Sequence, residues 1–264
     1  MKDTTKPIGI FDSGVGGLSI LSELKKILPY ESFIYVADQA YVPYGSKTRA
    51  QIVKRSIKIT DFLIQKEAKL IVVACNTATI SSIQIIRKKF STPIIGVVPV
   101  VKTAAERTKT KKIAVFATPA TAKSKQLQKL IRDYAQNVMV CKNGSSGLEK
   151  FIEAGEIHNP QITELLNKHL LPLKDGGVDV IALGCTHYPF LKQEMQKIVG
   201  DKIQILDSGG AVARHAKRIL EHNETLSHAK EGKDWYYTTG EANAFSKTIQ
   251  KLLGKTVEAV HVKI

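Results

Sequence analysis

The chain has 264 residues, 43% of them apolar, enough to bury a large core in one big domain or in two of about 130 residues each. Its three cysteines, odd in number and without CxxC spacing, exclude a disulfide framework and a structural zinc site, and they fit a reducing compartment. The net charge of +15 raises nucleic acid as a partner, but the excess is mostly lysine spread along helix faces, and lysine lacks the planar fork suited to phosphate and base recognition.

In chain order, the first apolar run, Ile8 to Phe11, reads as a strand followed by a Gly-rich turn and a helix from about Gly17 to Leu28, closed by Pro29. A strand over Phe33 to Ala37 and a turn at Tyr41 to Gly45 come next. A long helix then runs to about Lys66, with Ser46 as its expected cap. The strand Leu70 to Ala74 carries Cys75 at its end, and a further helix and the strand Ile94 to Val98 complete the series.

After Pro99 the programme restarts. The dense cluster from Arg107 to Lys112 reads as a solvated turn, so no nucleic-acid partner is expected, although such a field also steers small anions. The strand Ile113 to Ala117 leads through Thr118 and Pro119 into a helix. The strand Val138 to Cys141 follows, with Cys141 expected in the core. A short helix ending at Gly155, a helix opened by Asn159 and Pro160, and the strand Val178 to Leu183 lead to Cys185. A helix from about Ser208, a strand Trp235 to Thr238, another helix and a strand Val257 to Val262 close the sequence.

Strands alternating with helices point to α/β architecture with mostly parallel sheets flanked by helices. The layout is duplicated: Phe116 lies 105 residues after Phe11, and Cys185 lies 110 residues after Cys75. Two pseudo-symmetric domains are therefore expected, residues 99–207 forming the second and residues 1–98 with 208–264 the discontinuous first. No apolar stretch approaches the roughly 18 to 20 residues needed to span a bilayer, so a soluble, cytoplasmic protein without a membrane partner is expected.

Both Cys75 and Cys185 follow an apolar strand at its carboxyl end, where open α/β sheets bind ligands. A lone cysteine there is as readily structural as reactive, but two at matching places suit proton removal on one face of a substrate and return on the other. A helix start beside Cys75 favours a thiolate, and His187, two residues beyond Cys185, can exchange a proton with that thiol. A Cys-x-His pair is also half a metal site, yet no second ligand pair has the spacing, so no metal is expected. Glu153 closes a short helix, where a carboxylate opposes the helix dipole; this is a sign of purpose or an ordinary surface glutamate. Pro43-Tyr44-Gly45-Ser46 is either an ordinary turn or a cradle whose Gly45 and Ser46 amides hold a carboxylate. Asp12-Ser13-Gly14-Val15-Gly16-Gly17 invites a dinucleotide reading, with Asp38 where a ribose-binding acid would stand, but the third glycine of GxGxxG would fall on Ser19. Asp12 is then either presented by the turn or a capping carboxylate, and no cofactor is expected.

Taken together, Phe11 to Gly17, Pro43-Tyr44-Gly45, Ala74-Cys75-Asn76-Thr77-Ala78 and Gly184-Cys185-Thr186-His187-Tyr188-Pro189 closely resemble the motifs of the cofactor-independent aspartate/glutamate racemase family, above all of its bacterial glutamate-specific members. The likeness runs in order along essentially the whole chain. It implies two α/β domains closing over free glutamate, with the active site in the cleft between them, and racemisation that supplies D-glutamate for peptidoglycan. It also implies that Cys75 exchanges the α-proton on the D side, assisted by Asp12, and Cys185 on the L side, assisted by His187 and Glu153. Ser13, the backbone from Tyr44 to Ser46, Asn76, Thr77, Thr118, Thr121 and Thr186 would hold the carboxylates and the ammonium. Aspartate is the alternative substrate, a dinucleotide-dependent enzyme the more distant alternative, and a homodimer the expected assembly of such a bacterial metabolic enzyme.

Overall fold

A computed structural model describes residues 3–264. Along the chain come β1 (Ile8–Asp12), α1 (Leu18–Ile27), β2 (Phe33–Ala37), α2 (Arg49–Gln65), β3 (Leu70–Val73), α3 (Asn76–Lys89) and β4 (Ile94–Gly96). Next are α4 (Val101–Arg107), β5 (Lys112–Ala117), α5 (Pro119–Ala122), α6 (Lys125–Tyr134), β6 (Met139–Gly144), α7 (Leu148–Glu153), α8 (Pro160–Asp175), β7 (Val180–Gly184), α9 (Lys192–Val199) and β8 (Gln204–Leu206). The last elements are α10 (Gly209–His222), β9 (Asp234–Thr238), α11 (Ala242–Leu253) and β10 (Ala259–His261).

These elements form two compact units, Val98–Ser208 making one, and the described residues up to Val97 with Gly209–Ile264 the other. The latter unit carries a six-stranded sheet in the order β10-β9-β2-β1-β3-β4, and the former a four-stranded sheet in the order β6-β5-β7-β8. Every ladder is parallel. Parallel strands covered by helices on both faces need apolar side chains at every position, and β1, β2, β3 and β7 are buried throughout. All the strands of one sheet therefore end on the same edge, and that edge collects the residues following each strand.

Several details depart from the sequence expectations. The cap of α2 is Thr48, not Ser46: Thr48 accepts the amide of Gln51 while the Gln51 side chain returns to the Thr48 amide, a reciprocal box that satisfies two orphan donors at once. Ser46 instead ends a tight 3₁₀ turn, Tyr44–Ser46, where its hydroxyl donates to the Pro43 carbonyl. Cys141 is exposed, not packed in a core, because β6 is the edge strand of its sheet and most of its residues face solvent. The helix α4 and the short strand β8 were not foreseen, and Arg107, assigned to a solvated turn, is the last residue of α4.

The rest of that basic cluster is organised by one acid. Asp179 accepts from the Thr108 hydroxyl at 2.5 Å and from the amides of Lys109 and Thr110 at 2.6 and 3.0 Å. Burial alone would raise its pKa, but the bonds from Thr108, Thr110 and Lys109 outweigh it and hold the carboxyl below its ordinary range. A lowered acid contributes stability above its unfolded pKa of about 3.9 and loses it as the pH falls through the folded value. Asp179→Ala is accordingly expected to cost about 1 kcal/mol at pH 7, after allowance for solvent screening. Urea titrations at pH 7 and pH 3 should show the gap from the parent protein shrinking at the lower pH.

Candidate active site

In the six-stranded unit, β1 ends at Asp12 and β3 runs through Ala74 to Cys75. The two strands are neighbours, with Phe11 opposite Val73 and the Ala74 amide bonded to the Phe11 carbonyl at 2.8 Å. Asp12 and Cys75 are both buried at this edge. One Asp12 oxygen accepts from the Ser13 hydroxyl at 2.9 Å and from the Gly14 amide at 3.2 Å, so the carboxylate both caps its own turn and stands in the site. The turn must run close to its neighbours: a Cβ on Gly17 would lie 2.8 Å from the Tyr35 hydroxyl, 2.9 Å from the Asp12 Cβ and 3.0 Å from the Ala74 Cβ, which is why glycine stands there.

Cys75 is the N-cap of the fourteen-residue helix α3, and its Sγ accepts the Ala78 amide at 3.4 Å. A helix start concentrates amide donors and the positive end of the dipole, the part of a fold that best accommodates an anion. Asn76 and Thr77 occupy the first turn, both buried, and the Asn76 side-chain nitrogen has no partner among the described residues.

The turn at Tyr44–Ser46 packs on the same place, with Tyr44 in one apolar cluster with Cys75, Ala78 and Ile52. The Ser46 amide, expected to point at a ligand with that of Gly45, donates to the Pro43 carbonyl at 3.3 Å. Among the described residues the amides without an acceptor in this turn are instead those of Tyr44 and Gly45, beside open space at Gly45. Asp38 is not available to a ribose. It is fully buried, and its oxygens accept from Arg55, Tyr44 and Thr239.

In the four-stranded unit, Cys185 and Thr186 follow β7, and Thr118 follows the adjacent β5, with Ala117 opposite Gly184. A Cβ on Gly184 would lie 2.7 Å from the Ala117 Cβ, so the strand pair closes tightly just before Cys185. Thr118 caps α5, accepting the Thr121 amide at 3.3 Å while its hydroxyl donates to that of Thr121 at 3.1 Å. The buried Cys185 Sγ is 3.7 Å from His187 Nδ1, and His187 Nε2 is 2.7 Å from Glu153 Oε1. Glu153 is the last residue of α7, so a carboxylate in that disfavoured place is engaged by an imidazole.

Burial pushes the Cys185 thiol pKa up, against the opposing hydrogen bond from His187. For His187 burial works against the imidazolium, but the bonds to Cys185 and Glu153 and the charges of both prevail and hold it well above its ordinary value. An imidazolium held in this way can stabilise a thiolate at Cys185.

The six-stranded unit thus gathers Asp12, Ser13, Pro43, Tyr44, Gly45, Ser46, Cys75, Asn76 and Thr77 at one sheet edge, and the four-stranded unit gathers Thr118, Thr121, Glu153, Cys185, Thr186 and His187 at its own. Sequence reasoning put Asp38 to another use, and it missed Arg55 behind Tyr44 and the contacts of Tyr188. The Tyr188 hydroxyl donates to the Ser145 carbonyl at 3.0 Å and to Glu149 at 3.2 Å, and its ring lies 4.8 Å from that of Phe116. Glu149 gave no signal, since an acid in the first turn of a helix is commonplace.

Three organisms' enzymes resemble this chain along nearly its whole length. The chain is 40% identical over 263 residues, 99% of its own length and all of the relative's, to a glutamate racemase of Ectopseudomonas mendocina. Its fold superposes with a TM-score of 0.92 on a glutamate racemase of Bacillus anthracis at 31% identity, covering 99% of this chain and 98% of that one. A third comparison, at TM-score 0.85 and 31% identity over 97% of each chain, is the Escherichia coli glutamate racemase solved with L-glutamate and the activator UDP-MurNAc-ala. With its strand-end cysteines in place and residues 16–216 matching the Asp/Glu/Hydantoin racemase model, the chain belongs to that racemase family.

Proposed function

We propose that this chain interconverts L- and D-glutamate by passing the α-proton between two thiols, Cys75 and Cys185, without an organic cofactor, and so supplies D-glutamate for peptidoglycan in a bacterial cytoplasm. The observation that carries this reading is the pair of buried cysteines, neither in a disulfide, at equivalent strand ends, one capping α3 and the other beside the His187–Glu153 pair. Membership of the family and the 40% identity to a full-length glutamate racemase support it. Buried thiols without disulfides suit a reducing compartment.

An amino-acid α-proton is very weakly acidic, so the developing carbanion needs preorganised donors and exclusion of water. One sulfur starts as thiolate and takes the proton; the other starts as thiol and delivers its own to the opposite face. Bond types are unchanged at the end, and the two sulfurs have exchanged protonation states, ready for the reverse reaction. For D-glutamate Cys75, at a helix start with Asp12 on the neighbouring strand, starts as the thiolate. Cys185 is the thiol, and His187 with Glu153 stabilises the anion it becomes. The amides of Tyr44 and Gly45, with Ser13, Asn76, Thr77, Thr118, Thr121 and Thr186, bind the carboxylates and the ammonium.

The test is exchange in D2O without added cofactor, glutamate and aspartate side by side. L-Glutamate should racemise with deuterium entering only at the α-carbon, and aspartate should turn over at least about 10²-fold more slowly, since a chain one methylene shorter leaves one carboxylate site unpaired. Faster turnover of aspartate would transfer the activity to that substrate.

A further inference from the structure

Tyr44, Asp38 and Arg55 form a buried assembly directly behind the turn that has open space beside Gly45, and Arg55 also donates to the Ile264 carbonyl. The Tyr44 hydroxyl donates to Asp38 Oδ2 at 2.6 Å. Arg55 grips the same carboxylate with two donors, Nε to Oδ2 at 2.9 Å and Nη2 to Oδ1 at 2.6 Å, and Thr239 adds its hydroxyl at 2.8 Å. The guanidinium lies 4.2 Å from the centre of the Tyr41 ring, and Tyr44, Asp38 and Arg55 are all at least 95% buried. A bidentate, charge-assisted pair of this kind fixes direction as well as distance. Desolvation and the Asp38 charge both disfavour ionisation of Tyr44, so its phenol remains a donor throughout the working pH range. The assembly reaches the site through the Tyr44 ring, which shares its apolar cluster with Cys75 and whose own amide, like that of Gly45, has no acceptor among the described residues, and through the Asp38 amide, which donates to the Asp12 carbonyl at 2.9 Å.

We infer that Asp38 and Arg55 are positioning residues for substrate binding, which act through the Tyr44 hydroxyl to aim the Tyr44 and Gly45 amides at a substrate carboxylate. The inference rests on the proposed glutamate racemase reading. It separates two jobs: the thiols move the proton, and the buried ion pair sets how well a carboxylate is held while they do so. Loss of the Tyr44 hydroxyl should therefore weaken substrate binding far more than the chemical step.

Tyr44→Phe removes one hydroxyl and keeps the ring, the cluster and the Asp38–Arg55 pair. It is expected to raise KM for glutamate about tenfold in both directions while kcat changes less than about threefold, the loss of one hydrogen bond to a charged group. Asp38→Asn should raise KM similarly, and the Asp38→Asn, Tyr44→Phe double variant should raise it no further than the larger single effect, because both act through one bond. An unchanged KM in Tyr44→Phe overturns the inference, even with a lowered melting temperature, since that would mark a purely structural role. Multiplying effects in the double variant also overturn it. The wild-type protein is assayed alongside: if it fails to racemise glutamate the functional reading itself falls, whereas a racemising wild type with an unaltered Tyr44→Phe sinks only the positioning role.

Discussion

Replacing Cys185 by Ser is expected to lower racemisation of both enantiomers by about 10³-fold or more, because an alcohol is a far poorer proton exchanger than a thiol at neutral pH. The fall must be the same for kcat/KM in both directions. Mirror-image substrates have equal free energy in water, so no variant can shift the equilibrium, and rate loss alone does not say which face Cys185 serves. The informative measurement is α-hydrogen exchange without inversion. With Cys185 gone, the Cys75 sulfur at the start of α3 still reaches one face. Cys185→Ser should thus exchange D-glutamate slowly with D2O, with retention, and leave L-glutamate untouched. Cys75→Ser should show the opposite preference. Either variant exchanging both enantiomers equally would mean one group serves both faces, and the two-thiol reading would be lost.

The parts of this molecule that could be read from its sequence are those where a local rule has no competitor. Apolar runs rich in β-branched residues gave β1, β2, β3, β5 and β7, since a strand buried on both faces tolerates little else. Placing Cys75 and Cys185 at strand ends needed only those runs. Where two rules compete the sequence was ambiguous. Ser46 and Thr48 are both good caps, and the choice fell to the one with Gln51 three residues on. Cys141 looked like core because it lies within a strand, away from any strand-end loop, but a strand's edge position depends on which partner it pairs with across the chain, and β6 pairs with β5 alone among the described residues. Asp38 followed a strand at the spacing of a ribose ligand. One-dimensional spacing cannot say where a carboxylate points, and here it points at Arg55, seventeen residues away in sequence on a different element. The engagement of Glu153 by His187 across 34 residues is likewise a tertiary fact.

Glu153 carries the other large effect. Glu153→Gln keeps the shape of the side chain and a hydrogen-bonding oxygen but removes the charge that His187 faces at 2.7 Å. His187 then falls from its raised value, because one of the two partners that offset the burial penalty on the imidazolium has lost its charge, Cys185 being the other. A neutral His187 cannot stabilise the Cys185 thiolate, so kcat should drop about 10²-fold at pH 8, and the alkaline limb of the kcat profile should move to lower pH. Stability follows the same sign. A histidine raised in the folded state stabilises fully below its unfolded pKa of about 6.5 and loses that contribution as the pH rises through the folded value. Glu153→Gln should therefore be less stable than the parent near pH 6, and the difference in urea midpoint should narrow as the pH climbs. A kcat loss that is uniform from pH 6 to pH 9, with a stability gap independent of pH, would show that Glu153 orients the ring without holding its proton.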